Sequence, residues 1–300
     1  MKTCVCHRLK LAMHTSRMHS QSSPRFKRPS SPVEATANRI RFLNPDVSAI
    51  VQAYQMTSED FDVIKDSVAG RRLEPQNSLR LLPTTGWLAP LEPVTYAPWW
   101  LHLVTWVPAC VVTYIWALPH TLRTWYFIVM GFVGFWPLTE YLVHRFVFHS
   151  SVAWAKCLPR PLQGCVNVLR LLCHTVHHAH PTDRLRIVTP LPMSLVIAAF
   201  VFSTILVVVP DRNGAVALLV GVVLGFVYYD YVHYDLHLGI PLEQWPAWIP
   251  AYITARVLRL RRAHRNHHYA PNGHEASFGV SSSEWDSVFG TLAKVRPLAE

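Results

Sequence analysis

Long apolar stretches separated by short polar turns dominate the middle of this 300-residue chain. Four of them are about twenty residues long, which is the length that a helix needs to cross a bilayer. They cover residues 99–118, 124–143, 190–209 and 215–235. The turns between them, at residues 119–123 and 210–214, are too short for anything but a connection. The pattern therefore predicts an all-α integral membrane protein with four transmembrane helices in two hairpins.

Composition and charge agree with this fold class. Hydrophobic residues make up 51% of the chain and charged residues only 15%, which is typical of membrane proteins. The net charge of +10 is compatible with a nucleic-acid partner, but basic residues beside apolar spans more often face anionic membrane lipids, so we expect no nucleic acid. Of the 28 Lys and Arg residues only Arg123 and Arg212 lie in the two turns. The positive-inside rule therefore predicts a multi-pass topology with both termini and the central loop in the cytosol.

The N-terminal third carries no recognisable chemistry. Residues 1–37 predict a disordered basic tail, with a transit peptide as the alternative. Residues 38–98 predict a cytosolic or peripheral region with short surface helices. Residues 99–300 form the third unit, which holds the four spans.

Ten of the 17 histidines fall in four clusters, all at the predicted cytosolic ends of the spans. The clusters are His144 and His149; His174, His177 and His178; His233 and His237; and His264, His267 and His268. Neutral imidazole is a common metal ligand, and a first-row metal takes roughly four to six donors. Ten rings therefore predict two metal ions, held in a cytosolic helical cap above the bundle.

The spacings predict where the rings point. Positions i, i+3 and i+4 lie on one face of a helix, so each HxxHH run is expected to present its three rings together. His144 and His149 are five positions apart, about 140° around an ideal helix. This spacing predicts either a local helix distortion or two rings bound to different ions.

The identity of the metal stays open at this point. An all-nitrogen ligand set suits Fe, Zn, Cu or Ni. A zinc transporter, which would also be membrane-bound and histidine-rich, is disfavoured because residues 194–209 of the third span contain no ionisable side chain.

The histidine runs lie in motifs that resemble the membrane fatty-acid hydroxylases of the sterol desaturase superfamily, in particular the fatty-acid 2-hydroxylases. The resemblance runs from Leu91 to Leu292 through EYLVHRFVFH (140–149), HTVHHAHPTD (174–183), YYDYVHYDLH (228–237), HRNHHY (264–269) and FGVSSSEWDSVFGT (278–291). The histidine boxes alone also fit sterol desaturases, carotenoid hydroxylases and alkane oxygenases. The YDxxHYxxH pattern and the WDxVFGT tail are narrower.

The resemblance implies O2-dependent hydroxylation of the carbon next to the carbonyl of a fatty acid or of the acyl chain of a ceramide. It implies a di-iron centre on the ten histidines, with zinc as an ion that a structure can show instead. It also implies a location in the endoplasmic-reticulum membrane. The electrons are expected to pass from NADPH or NADH through a reductase and cytochrome b5. Residues 1–98 contain no HPGG haem motif, so we expect a separate cytochrome b5 and no haem in this chain. A sterol, carotenoid or alkane oxygenase is the alternative function.

Several residues near the histidines are expected to support them. Metal-bound imidazoles usually donate their second N–H to an acceptor, and the candidates are Tyr234, Asp230 and Glu140. His180 is a candidate supporting partner or spare ligand, and Asp286 is expected to cap a turn. The arginines Arg145, Arg184 and Arg186 are interpreted as positive-inside anchors, with steering of the acyl head group as the alternative.

Overall fold

The computed structural model describes residues 48–62, 80–83, 85–149, 153–270 and 273–293, and all regular structure in these ranges is helical. The predicted basic tail lies outside the described residues. The helices are α1 (Ala49–Gln55), α2 (Leu101–Ala117), α3 (Leu122–His149), α4 (residues 160–179), α5 (Leu191–Val208), α6 (Arg212–Leu238), α7 (Ala251–Tyr269) and α8 (Glu284–Val288). Short 3₁₀ turns lie at Ala89–Thr95, Ala153–Cys157, Leu242–Gln244 and Gly273–Glu275.

Among the helices that the structure describes, three, α3, α5 and α6, are long and apolar enough to cross a membrane. Helix α2 has 17 residues, which at 1.5 Å per residue span about 26 Å of a hydrocarbon core that is roughly 30 Å thick. An all-helical fold with membrane-length helices is thus confirmed, whereas the fourth span stays a prediction. Helix α3 continues through His149, six residues beyond the predicted end of the second span.

Helix α6 lies in the middle of the bundle. In its most apolar window 61% of the residues are buried inside the protein, compared with 17% in α5. Glycines let α3 approach it closely, because a Cβ atom at Gly131 would lie 2.3 Å from the carbonyl oxygen of Leu218 and one at Gly221 would lie 2.0 Å from that of Ile128. The backbones of α3 and α6 are therefore fixed against each other, and both helices carry histidines near their C-terminal ends.

Helices α3 and α4 are interrupted by π-helical turns. In α3 these turns are Met130–Phe135 and His144–His149, and in α4 the turn is Leu171–Thr175. A π turn holds one residue more than an α turn, so it rotates the side chains that follow it. Two of the three turns lie at a histidine cluster, where the rotation determines which rings meet.

The N-terminal region packs on α4, the helix that carries His174, His177 and His178. The side-chain amide of Asn167 donates to the carbonyl oxygens of Ala53, at 3.2 Å, and Met56, at 3.1 Å. Arg170 is fully buried and pairs with Asp62 at 2.7 Å. The region that lacked recognisable chemistry in the sequence therefore supports the back of a ligand-bearing helix.

Arg186 makes a second buried contact with this region. Its guanidinium pairs with the Glu92 carboxylate at 2.7 Å and donates to the Thr95 hydroxyl at 3.0 Å. The interpretation of Arg186 as a membrane anchor is wrong, because the side chain is buried beside a carboxylate rather than placed at the lipid surface.

Candidate metal centre

The ten clustered histidines converge into two groups of five. Within each group the candidate ligand atoms all lie within 4.8 Å of one another. The first group is His144, His149, His174, His178 and His267; the second group is His177, His233, His237, His264 and His268. Helix α3 contributes only to the first group and helix α6 only to the second.

Each HxxHH run is divided between the two groups. In α4 the outer pair, His174 and His178, joins the first group and the middle His177 joins the second. Helix α7 does the reverse, because His264 and His268 join the second group and His267 joins the first. Positions i+3 and i+4 are about 100° apart around a helix, so a helix lying between two sites serves both. The expectation that each run presents its rings together is therefore corrected.

The π turn at His144–His149 brings its two histidines together. Their Nε2 atoms lie 3.2 Å apart in the first group. A π turn repeats after about five residues, so positions i and i+5 fall on one side of it. Of the two sequence expectations, local distortion is confirmed and binding to different ions is not supported by the grouping.

The rings face one another through nitrogen atoms. The Nε2 atoms of His149 and His174 are 2.6 Å apart in the first group, and those of His237 and His264 are 2.8 Å apart in the second. Burial lowers the pKa of His174, His177, His178, His264 and His268 well below the ordinary value, and it lowers the pKa of His267 to about 3. These rings are therefore neutral, which is the form that binds metals.

Two rings of the first group are oriented by a backbone loop. Nδ1 of His144 donates to the carbonyl oxygen of Phe278 at 2.5 Å, and Nδ1 of His267 donates to that of Ala276 at 2.7 Å. With the proton on Nδ1, each Nε2 presents a lone pair to the centre of the group. Lone pairs that face each other repel unless a cation lies between them, so this geometry fits a bound metal ion.

Two buried carboxylates hold that loop. Glu140 accepts from the backbone N–H groups of Val280, at 2.5 Å, and Ser281, at 2.9 Å. Asp286 accepts from the N–H groups of Phe278, at 2.9 Å, and Gly279, at 2.6 Å. Asp286 therefore caps a turn as expected. Glu140 accepts hydrogen bonds from the loop rather than from a histidine ring. It therefore supports His144 indirectly, through the loop that orients the ring.

The residues Asp230 and Tyr234 have other partners than the expected ligand rings. The Asp230 carboxylate pairs with Nδ1 of His102, and both side chains are buried. The Tyr234 ring packs on Trp99 with ring centroids 6.0 Å apart. Within the described residues Tyr234 makes no hydrogen bond to a histidine, and the ring stacked on His233 is that of Tyr229, at 5.5 Å. The sequence pattern identified the right segment of α6, but it assigned ligand histidines as the partners of Asp230 and Tyr234, and the structure gives these two residues other partners.

His102 was not recognised from the sequence as a site residue. It is an ionisable side chain in an apolar helix, and such a group needs a buried partner, which was the available signal. His180, by contrast, is buried at the end of α4 but belongs to neither histidine group. Its supporting role stays a prediction.

Comparison with known proteins gives the same assignment as the motifs. The family model described as fatty acid hydroxylase matches residues 128–291, which include all ten histidines. The dihydroceramide fatty acyl 2-hydroxylase FAH1 of Arabidopsis thaliana is 34% identical over 67% of this chain and 76% of its own length. The ceramide very long chain fatty acid hydroxylase scs7 of Schizosaccharomyces pombe is 33% identical over 67% of this chain and 52% of its own length. The human fatty acid 2-hydroxylase is 33% identical over 60% of this chain and 43% of its own length. The chain thus spans about half of these last two relatives.

A solved structure has the same fold. The visible hydroxylase domain of full-length scs7p matches with a TM-score of 0.65 and 27% identity, over 87% of this chain and 89% of that one. The family model covers more than half of the chain, and the motif resemblance to fatty-acid 2-hydroxylases is confirmed. This chain therefore belongs to the fatty acid hydroxylase family.

Proposed function

We propose that this protein hydroxylates the carbon next to the carbonyl of a long fatty acyl chain, carried by a fatty acid or by a ceramide. The observation that carries the proposal is the convergence of ten histidines into two groups at one end of apolar, membrane-length helices. The relatives support it, since they bear the names of 2-hydroxylases that act on ceramide or fatty acyl chains. A sterol, carotenoid or alkane oxygenase is the alternative that the same histidines allow.

Each group of five histidines would hold one metal ion, and iron is the metal that suits the reaction. Zinc has no redox chemistry, whereas oxidation of an unreactive C–H bond by dioxygen requires a metal that changes oxidation state. When bound, iron supplies that activation of dioxygen. The protein itself supplies neutral, buried rings, and the loop at residues 276–281 sets the orientation of two of them, His144 and His267.

The balance of the reaction requires an electron donor. One oxygen atom of O2 enters the C–H bond and the other leaves as water, so two electrons and two protons must be supplied. We propose a separate cytochrome b5 as the electron carrier, reduced by its NADPH- or NADH-dependent reductase. We propose one arrangement that combines this partner with an endoplasmic-reticulum location, four spans within residues 99–300 and cytosolic termini. In it, the histidine groups lie on the cytosolic side of the bundle, the side from which cytochrome b5 delivers electrons.

The proposal is tested by expressing the chain in cells without 2-hydroxylase activity and analysing their lipids. We expect 2-hydroxy acyl chains in sphingolipids with the intact protein and none with His177→Ala, because His177 belongs to the second histidine group. His120→Ala is the matched control, since His120 is exposed in the first hairpin turn and belongs to neither group. Hydroxylated sterols or alkanes in place of 2-hydroxy lipids would favour the alternative, and normal hydroxylation by His177→Ala would contradict the ligand assignment.

A further inference from the structure

A groove of about 670 Å³ lies between α3, α6, α7 and the segment around α8. Its volume falls within the range of roughly 300–1,000 Å³ that is usual for ligand sites. No histidine of either group lines it, so it is separate from the candidate metal centre.

One end of the groove is apolar and lies within the membrane-length helices. Phe132 and Val133 of α3 and Tyr228 of α6 line this end. Val133 is 60% exposed and Tyr228 is 41% exposed, so the groove is open to the surroundings of the helices. At this level of an embedded helix the surroundings are lipid hydrocarbon. This end therefore suits a hydrocarbon chain that enters from the bilayer.

The other end of the groove is polar but carries little net charge. The Arg256 guanidinium lies 3.4 Å from the Glu284 carboxylate and donates to the carbonyl oxygen of Ser281 at 2.9 Å. The pair offers both donors and acceptors. A carboxylate or phosphate would bring a second negative charge beside Glu284, whereas an uncharged head group with hydroxyl and amide groups can bond to both members of the pair.

The polar end is the end nearest to the histidines. Ser281 lines the groove, and its backbone N–H donates to Glu140, which lies one helical turn before His144. Phe132, at the apolar end, precedes His144 by about 18 Å along the helix. A lipid bound here would place its head group beside the loop that orients His144 and would direct its hydrocarbon chain away from the metal centre.

We propose that this groove binds the long-chain-base half of a two-chain, amide-linked lipid. The uncharged head contacts Arg256 and Glu284, and the non-reacting hydrocarbon chain lies along α3 past Phe132. The inference rests on the proposed function, since the acyl chain on the other side of the amide is the one that is hydroxylated. Binding of the non-reacting half positions the carbon next to the amide carbonyl near the histidines.

Kinetics of purified, reconstituted protein test this assignment. Glu284→Lys removes an acceptor at the head group, and Val133→Trp fills the apolar end. Both should raise the KM for a ceramide with a long-chain base about tenfold, the effect of one lost hydrogen bond or of lost apolar contact, with little change in kcat. The matched controls are Glu243→Lys, at an exposed acid, and Val207→Trp, at an 83% exposed position on α5. Both controls should keep the wild-type KM.

A photoreactive ceramide provides the second measurement. With the photoreactive group on the long-chain base, it should label residues 132–137 and 285–288, and unlabelled ceramide should compete. Labelling by phosphatidylcholine that ceramide does not displace would overturn the proposal, because the groove would then hold bulk lipid. Hydroxylation with an unchanged KM in both groove variants would overturn the groove assignment alone. Absence of 2-hydroxylation by the wild-type protein would instead contradict the proposed function.

Discussion

The two histidine groups are alike in composition but differ in how their rings are held. In the first group, His144 and His267 donate through Nδ1 to carbonyl oxygens of one loop. In the second group, Nδ1 of His177, His264 and His268 has no partner within the described residues. The first site is thus oriented by a hydrogen-bonded loop, whereas the second depends on the packing of α4, α6 and α7. The sites should therefore respond differently to changes around them.

Loss of a central ring should have the largest effect and should be confined to one site. Nε2 of His149 lies 3.2 Å or less from Nε2 of His144, His174 and His267, and Nε2 of His264 is similarly central in the second group. We expect His149→Ala and His264→Ala each to lose one of two ions. Hydroxylation should fall more than about 100-fold, because partners that merely orient ligands are already worth roughly 10- to 100-fold.

Metal analysis of the purified variants, with bound ions counted per chain, checks this prediction. His120→Ala serves as the control, since its ring is exposed and belongs to neither group. If either variant lost both ions while remaining folded, the division into two separate sites would be wrong.

Loosening of the loop should weaken the first site only. Asp286 accepts from the backbone of Phe278 and Gly279 and from the hydroxyl of Thr291. Asp286→Asn removes one acceptor oxygen, so the carbonyl partners of His144 and His267 are held less firmly. We expect a loss of about 10- to 100-fold in metal affinity at the first site, measured by competition with a chelator. Equal weakening of both sites would contradict the difference between them.

A methyl group at the contact between α3 and α6 should disturb the relative position of the two sites. Gly131→Ala would place Cβ 2.3 Å from the carbonyl oxygen of Leu218, and we expect overpacking to cost about 1–3 kcal/mol of stability. Gly134→Ala is the control within the same helix, because the nearest atom to its Cβ would be the flexible Met130 terminus at 3.4 Å. Thermal unfolding in detergent should show a lower Tm for the first variant alone. Equal values would mean that the helices separate without cost.

The smallest effect is expected at the second site. Asp235 of α6 pairs with Arg261 of α7 at 3.0 Å, and both side chains are about one-fifth exposed. Asp235→Asn should cost about 0.5–1 kcal/mol, since water screens a partly exposed pair. The chelator assay should show a shift of a few-fold in the second site and none in the first. A larger loss at the first site would reverse the proposed difference.

The sequence predicted which histidines come together because their spacing and their places at the ends of apolar helices are local properties. It did not predict the division of each HxxHH run, which depends on α4 and α7 each lying between two sites. The spacing of His144 and His149 indicated a distortion, but the direction of the π turn depends on packing.

Partners distant along the chain were harder to predict. Asp230 pairs with His102 from 128 positions away, and no local pattern joins them. The acceptors for His144 and His267 are backbone carbonyls of the loop at residues 276–281, which can be supplied by any residue type. Sequence reasoning identified Glu140 and Asp286 as polar residues near the site. It did not predict that both carboxylates bond to the same loop, because that depends on how the chain folds.

The central claim, one metal ion in each histidine group, is tested most directly by anomalous diffraction from crystals of the purified protein. We predict two separate anomalous peaks, one among His144, His149, His174, His178 and His267 and the other among His177, His233, His237, His264 and His268. A single peak shared by both groups, or peaks away from these rings, would contradict the account.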